Sequence, residues 1–394
     1  MREKPIESSF REILGRFSRR GFLTSVGAAA YPFAVIKPAH GPVAVTRADS
    51  AAGGANATEL ITEDRRGANA EAGRLVRITS ISFPNSLSLG EIAKSVDRAG
   101  SAGVDVIALP ELCRGQNNDS EEDLHGPTVT AMAALARKHK TYIVCPIDRR
   151  DKNLRLNTTV LLDRGGNVGC VYNKVFPYWS EFDVHPAADV GENDAQVYRA
   201  DFGRLGFATC FDVNFPEVWR RLADKGAEVV IWPSAYSAGT SLQAHAINHH
   251  FYIVTATQTS DCLVYDITGE KLLYSKSDKV NVATVTLDLD RGIYHENFNL
   301  AKRDQLLKEH AEDVEQEKSM ALEQWFILKA KRAGVSAREL ARQCGLEELR
   351  HYLDRSRRSI DERRGWRYET KVLFPDLDVS GLKALAQPSV AQSE

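Results

Sequence analysis

The sequence predicts an α/β fold that contains two copies of a strand–helix–strand unit. Residues 103–111 form an apolar run that ends on Leu-Pro-Glu, and residues 226–234 repeat this run almost position for position. Each run follows a strand pattern and then a helix pattern, which places both in the same kind of unit. Because parallel strands put their carboxyl ends along one edge of a sheet, we expect polar residues at those ends to lie close together.

The first unit begins with an alternating strand pattern at 75–81, followed by apolar residues at helical spacing over 89–99. Between the two units the sequence predicts one helix and three strands, at 128–138, 142–147, 158–163 and 168–173. The last two strands are separated by Arg-Gly-Gly-Asn, which is typical of a hairpin turn. Lys174 follows directly after the hairpin.

The second unit has a short apolar strand at 205–209 and a helix from Pro216 to about residue 225, with proline at the first helical position. After it the sequence predicts one more helix and three strands, at 242–250, 251–258, 262–267 and 281–288. From residue 300 the composition changes to Lys, Arg and Glu, with a Trp, Phe and Leu stripe over 322–328. We therefore expect residues 299–394 to be a helical C-terminal extension with a tail.

Composition excludes several classes of protein. The 394 residues are 43% hydrophobic with a net charge of −2, so the chain can bury a large core and shows no basic surface for nucleic acid. Six cysteines in so long a chain do not make a disulfide scaffold, and they lack the paired spacing of a zinc site. His245 and His249 have a spacing that can bind zinc, but no third ligand is evident. We predict no metal and no cofactor.

The N-terminus is typical of a targeting signal. Arg19 and Arg20 precede a modestly apolar stretch of small residues, which resembles a bacterial twin-arginine export signal. We therefore predict a signal peptide at 1–40, a disordered linker at 41–73 and a folded domain at 74–298. The expected location is the periplasm or the medium, with no membrane attachment after signal cleavage.

Cys210 lies where the strand at 205–209 ends and just before the helix that begins at Pro216. Backbone N–H groups at such a point are free to bind a developing anion, which suits a nucleophilic thiol. Glu111 and Lys174 are candidates for its base and its cation, since a thiol needs one or both to become a thiolate. Taken singly, an inert buried cysteine, a solvated strand-end carboxylate and a surface lysine are ordinary alternatives.

Taken together, the three segments favour the catalytic interpretation. Leu-Pro-Glu at Glu111, Asn-Lys at Lys174 and Thr-Cys-Phe-Asp around Cys210 resemble the signature of the carbon–nitrogen hydrolase (nitrilase) superfamily. Their order and spacing match it, and the resemblance covers residues 75–298. It implies a four-layer αββα sandwich, the nitrilase-type fold, and a homodimer or higher homo-oligomer that assembles near the cysteine.

The resemblance also implies the roles of the site residues. Glu111 would be the base that later returns a proton to the leaving amine, and Lys174 would stabilise the thiolate and the oxyanion. The backbone N–H of Phe211 would assist at the oxyanion. The second glutamate found in relatives matches Glu181, with Asp183 as the alternative. Four aromatic residues could line the substrate pocket, although aromatic residues are as often found in cores: Tyr178, Trp179, Trp232 and Tyr236.

These residues predict a cysteine-dependent hydrolase that cleaves a small amide or carbamoyl substrate through a thioester. Phe211 and Asp212 follow the cysteine, where relatives that act on nitriles tend to have Trp-Glu. Val213 and Asn214 stand where some carbamoyl-amino-acid hydrolases have arginines, which makes that substrate class less favoured. Two alternatives remain open: an N-acyltransferase that uses the same acyl-enzyme, and a binding protein that kept the fold without catalysis. A helix-turn-helix spacing at 336–346 is better explained by helices that pack on the hydrolase or on its dimer mate.

Overall fold

The computed structural model describes residues 72–116, 119–181, 184–185 and 197–365. The predicted signal peptide at 1–40 and nearly all of the predicted linker at 41–73 lie outside these residues and stay predictions. Within the described ranges the helices, numbered in chain order, are α1 (Leu89–Gly100), α2 (Pro127–His139), α3 (Pro216–Asp224), α4 (Thr240–His249), α5 (Leu300–Glu309), α6 (Ala337–Gln343) and α7 (Leu349–Arg363).

The strands of the described residues form two large sheets and one small sheet. In chain order they are β1 (Leu75–Ser82), β2 (Val106–Ala108), β3 (Glu121–Glu122), β4 (Tyr142–Asp151), β5 (Leu154–Leu162), β6 (Val168–Asn173), β7 (Val197–Arg199), β8 (Arg204–Phe207), β9 (Val229–Ser234), β10 (Tyr252–Thr257), β11 (Asp261–Tyr265), β12 (Lys271–Lys276), β13 (Asn281–Asp288), β14 (Gly292–His295), β15 (Val314–Met320) and β16 (Trp325–Ala330).

The first large sheet has the strand order β13-β1-β2-β4-β5-β6, with β3 paired to β4, and the second has the order β12-β11-β10-β9-β8-β7. Strands β1 and β2 run parallel and are joined by α1, while β8 and β9 run parallel and are joined by α3. Each sheet therefore contains one copy of the predicted unit. The repeat in the sequence is a repeat in the structure.

The two large sheets pack face to face. Ser80 in β1 donates a hydrogen bond to the carbonyl of Thr255 in β10 at 2.7 Å, across the interface between the sheets. The apolar core combines residues of both inner faces, among them Val76, Ile78, Val106, Val229 and Val254. Helices α1 and α2 cover the outer face of the first sheet, and α3 and α4 cover the second. The predicted four-layer αββα sandwich is confirmed.

The C-terminal region differs from the prediction because it is not only helical. It holds α5, α6 and α7, but β15 and β16 also pair there with β14 in a three-stranded antiparallel sheet. The Trp, Phe and Leu stripe falls on β16, in which Phe326, Ile327 and Leu328 are fully buried. A strand covered on both faces is a continuous apolar run, and such a run is easily taken for one side of a buried helix.

This region packs on the core formed by the two large sheets, which was one of the two predicted locations. Arg338 in α6 forms an ion pair with Glu228 at 3.2 Å. Arg350 in α7 donates to the carbonyls of Ala223 and Ala227, at the end of α3. The two helices therefore serve as packing elements of this core. In the part of the chain that the structure describes, no helix combines the length and the apolar character that a membrane span requires.

Candidate active site

Cys210 begins a 3₁₀ turn, Cys210–Asn214, three residues after the end of β8. Its φ is +48°, in the left-handed region that a non-glycine residue adopts at a cost of about 1–2 kcal/mol. Such strain persists only where neighbouring contacts impose it. The conformation is therefore held from outside the residue, and two groups of contacts hold it.

The first group centres on Asp212, which is fully buried. Its carboxylate accepts hydrogen bonds from the Tyr172 hydroxyl at 2.6 Å and from the backbone N–H groups of Thr209 and Phe176, each at 2.9 Å. Burial raises the pKa of Asp212 to about 6, although these three donors act in the opposite direction. The carboxylate thereby connects the cysteine turn to β6 and to the loop that follows Lys174.

The cysteine backbone is also held by a hydrogen bond from Trp232 in β9. Its indole N–H donates to the carbonyl of Cys210 at 3.1 Å, and the side chain is 0% exposed. Trp232 was predicted to line the substrate pocket. Its side chain is fully buried and contacts the carbonyl of Cys210, so it helps to position the cysteine backbone, and the pocket role stays a prediction.

Glu111 follows β2 and is 2% exposed. One oxygen, Oε1, accepts from Lys174 Nζ at 2.8 Å and from Asn157 Nδ2 at 2.7 Å. The other, Oε2, accepts from the backbone N–H of Ala235 at 2.7 Å, just after β9. The carboxylate that follows β2 in the first sheet therefore meets the backbone that follows β9 in the second sheet.

Lys174 follows β6, and its ammonium lies between two carboxylates. Nζ donates to Glu111 Oε1 at 2.8 Å and to Glu181 Oε2 at 2.6 Å. Burial alone would lower the pKa of Lys174, but the charges of Glu111 and its other acidic neighbours raise that pKa well above its usual value. Burial would likewise raise the pKa of Glu181, yet His185 and Lys174 lower it to about 2. The structure thus brings Glu181 to the site, while the alternative, Asp183, lies outside the described residues.

The thiol of Cys210 is buried near this charged pair. Burial and the charge of Glu111 raise the pKa of Cys210, whereas the ammonium of Lys174 lowers it. The net effect is an increase, so the resting side chain is a neutral thiol. Attack by sulfur then requires that its proton leave in the same step, and a carboxylate must receive it.

Phe211 is the second residue of the 3₁₀ turn, where main-chain N–H groups have no carbonyl partner within the turn. Its N–H follows the cysteine directly, as an oxyanion donor must. The side chain of Phe211 packs edge-on against Tyr178, with ring centroids 5.2 Å apart.

The three remaining predicted pocket residues lie at the surface around the site. Trp179 is 67% exposed and its ring centroid is 5.6 Å from that of Tyr178. Tyr236 packs edge-on against Trp232, with ring centroids 5.7 Å apart, and burial raises the pKa of its hydroxyl. Tyr178, Trp179 and Tyr236 are thus exposed aromatic residues, and Tyr178 and Tyr236 pack against Phe211 and Trp232, which contact or adjoin the cysteine.

Asn157 and Tyr172 also support this site, although neither was predicted from the sequence. Asn157 in β5 donates to Glu111 at 2.7 Å and to Glu181 at 3.2 Å, so it holds the two carboxylates in a fixed relation. Its only signal in the sequence is a polar residue inside a strand, next to Thr158 and Thr159. Such a residue points to a buried polar partner but does not identify the partner.

His245 and His249 do not form a metal site with a third ligand in the described residues. The ring of His245 stacks on Trp219 at 4.3 Å, and its Nε2–H donates to the carbonyl of Val213 at 2.8 Å. A different group, Glu309, His310 and Cys344, has ligand atoms within 4.8 Å of one another at the surface of the C-terminal region. It lies outside the site described above.

A buried thiol beside a Glu–Lys ion pair, on an αββα sandwich, defines a class of enzyme that attacks carbonyl carbon with cysteine. The sequence matches the carbon-nitrogen hydrolase family over residues 77–293. The chain belongs to this family, and it is a hydrolase that acts on carbon–nitrogen bonds other than peptide bonds.

The individual relatives and solved structures below share less than 30% of their residues with this chain. A nitrilase from Pyrococcus abyssi is 28% identical over 206 residues, which are 49% of this chain and 77% of the relative. A deaminated glutathione amidase from Synechocystis is 29% identical over 201 residues, with 44% and 72% of the two chains covered. The crystal structure of an amidase from Nesterenkonia superposes with a TM-score of 0.48 at 20% identity, covering 56% of this chain and 93% of the amidase.

Proposed function

We propose that the chain is an exported cysteine amidohydrolase that cleaves a small amide or carbamoyl compound through a thioester intermediate. The observation that carries the proposal is the position of the Lys174 ammonium, which lies within 2.8 Å of both Glu111 and Glu181. The charge of this ammonium also lowers the pKa of the buried thiol of Cys210. A neutral thiol, a carboxylate and a cation are together sufficient for acyl transfer to sulfur.

In the first half-reaction, Cys210 Sγ bonds to the substrate carbonyl carbon while its proton passes to Glu111. The carbonyl electron pair moves to oxygen, and the N–H of Phe211 and the ammonium of Lys174 stabilise the negative charge that forms there. The carbonyl then re-forms, the C–N bond breaks, and Glu111 returns the proton to the leaving nitrogen. Ammonia or an amine departs and a thioester remains.

In the second half-reaction, a water molecule adds to the thioester carbonyl as Glu111 takes one of its protons. The C–S bond breaks, the sulfur recovers that proton, and a carboxylic or carbamic acid leaves. The same two groups stabilise the second oxyanion. The cycle consumes one water and leaves the enzyme unchanged.

Amides and nitriles differ in what this site must do. An amide must expel an amine, which needs an acid beside the nitrogen, and the buried Glu111 can supply the proton. A nitrile must first take up water at a thioimidate. The relatives carry both kinds of name, so the preference rests on the Phe-Asp pair after the cysteine, which resembles amide and carbamoyl hydrolases. We expect amide or carbamoyl turnover with little action on nitriles.

Matched amide, carbamoyl and nitrile substrates that share one side chain test this preference. Purified protein is assayed for ammonia or amine release over a series of side chains, with Cys210→Ala as the blank. A consistent preference for the nitrile member of each pair would contradict the assignment. An added amine that captures the acyl group in preference to water would assign acyl transfer instead of hydrolysis.

Export is supported by Arg19 and Arg20 ahead of an apolar stretch. The twin-arginine route carries folded proteins, which suits an enzyme whose thiol must remain unpaired. Replacing both arginines with lysine in the native host is expected to leave folded, active protein in the cytoplasm. Fractionation and immunoblotting measure this, and variant protein that still left the cytoplasm would disprove the twin-arginine route.

A further inference from the structure

A second set of buried charges lies beside Glu181. His185 is 1% exposed, and its Nδ1 is 3.9 Å from Glu181 Oε1. Its Nε2 is 3.0 Å from Asp148 Oδ1 in β4, and that same oxygen accepts from Arg155 Nε in β5 at 2.8 Å. Four side chains from three elements therefore form one continuous polar chain, which ends at the carboxylate that contacts Lys174.

The charges of the side chains in this connected set balance only when His185 is protonated. Glu111, Glu181 and Asp148 supply three negative charges, and Lys174 and Arg155 supply two positive charges. With a neutral imidazole the buried set has one unpaired negative charge, which is costly away from water. An imidazolium removes the imbalance: its Nε2–H donates to Asp148 at 3.0 Å, and its positive charge lies 3.9 Å from Glu181.

Among the described residues, the side chain of Gln116 is a further polar neighbour of the imidazole, and it fits this arrangement. The side-chain amide of Gln116 lies 3.2 Å from His185 Nδ1. An amide presents oxygen or nitrogen after half a turn about its last bond, so Gln116 can accept a hydrogen bond from Nδ1–H. A charged His185 is therefore compatible with its contacts to Asp148, Glu181 and Gln116.

We propose that His185 is a positively charged positioning residue that fixes Glu181, and through it holds Lys174 beside Glu111 and Cys210. The inference rests on the proposed function for the role of Lys174. Burial alone would lower the pKa of His185, but Asp148 and Glu181 raise that pKa above its usual value. When the imidazolium is lost, Glu181 keeps its charge without its second cationic neighbour, and the ammonium of Lys174 is drawn toward it and away from the thiol.

This role has a definite pH dependence. In the described part of the chain, the titratable groups that face His185 are Asp148 and Glu181, with Arg155 one side chain further away. Because the charged form is the working form, positioning is complete below the pKa of His185. It is lost as the pH rises through that value.

The first test needs no substrate. His185→Gln keeps a polar side chain of similar length but carries no charge. Alkylation of Cys210 by iodoacetamide, followed by peptide mapping, is expected to slow by about 10-fold or more, because a displaced catalytic group costs up to about 100-fold. The matched control is His250→Gln, since His250 is also buried but contacts the carbonyl of Ile267. An alkylation rate of Cys210 in His185→Gln equal to that in the wild-type protein would overturn the proposal.

The second test uses the wild-type protein, so it stands even if His185→Gln fails to fold. Imidazole nitrogen chemical shifts, assigned through correlations from the ring to the backbone of the same residue, should show a charged His185 at about pH 7. Asp148→Asn should lower the pKa of His185, which a purely structural role does not require. A neutral His185 at about pH 7 would overturn the inference alone, since it leaves hydrolysis by Cys210 untouched. Absence of any amide turnover would instead disprove the proposed function.

Discussion

Replacing Cys210 with alanine is expected to lower turnover by about 10⁴-fold or more while the fold remains intact. The sulfur is the atom that would form the thioester, so its removal ends the proposed reaction at the first step. The change removes one atom and keeps Cβ, so the left-handed backbone at this residue has the same conformational cost as before. The measurement is kcat on the best amide or carbamoyl substrate, together with the melting temperature.

The matched control for this variant is Cys145→Ala. Cys145 is also a buried, free cysteine, but it lies in β4 within the core beneath α1 and α2. It should keep its turnover and lose only a small amount of stability, as is usual for a small change in a core. Near-normal activity in Cys210→Ala, or loss of activity in Cys145→Ala alone, would contradict the mechanism.

Glu111→Gln is expected to reduce kcat by at least about 10²-fold, because it removes the group that carries the proton in both half-reactions. All three contacts to the Glu111 carboxylate come from donors, so the amide N–H₂ of glutamine must face one of them. Some loss of stability is therefore expected as well. The control is Glu122→Gln, which changes another buried carboxylate that accepts from the backbone N–H of Thr128.

Lys174→Ala should cost at least about 10²-fold through the lost stabilisation of the oxyanion. It also leaves Glu111 and Glu181 without their shared cation, so the melting temperature must be measured beside the rate. Because the two residues act as one unit, the Glu111→Gln, Lys174→Ala double variant should be little worse than either single variant. Effects that multiply in the double variant would show that the residues act independently.

Much of the core was predictable because its signals are local. Buried parallel strands are short apolar runs, and the repeat of one such run at 103–111 and 226–234 indicated two equivalent units. The strands at 271–276 and 197–199 were not predicted, since β12 alternates exposed and buried residues only weakly and β7 has three residues. Edge strands depend on a partner more than on their own composition.

The C-terminal region contains a strand that local sequence signals did not predict. Residues 314–320 are almost all polar, and they form β15 because the apolar strand β16 offers a hydrogen-bonding edge to them. No pattern within those residues predicts a strand. Pairing with a distant segment decided the outcome, and a helical interpretation based on composition could not include it.

The sequence by itself determined which side chains lie at the ends of strands. Glu111 is the last residue of one predicted strand, and Lys174 and Cys210 each directly follow another. It also determined that strands of the same kind would gather their ends at one edge. Tertiary structure alone decided the contacts between these side chains, since Glu111 and Lys174 are 63 residues apart and meet at 2.8 Å. Asn157, Trp232 and His185 acquire their roles only there, because hydrogen bonding and charge balance depend on distance in space and not on separation along the chain.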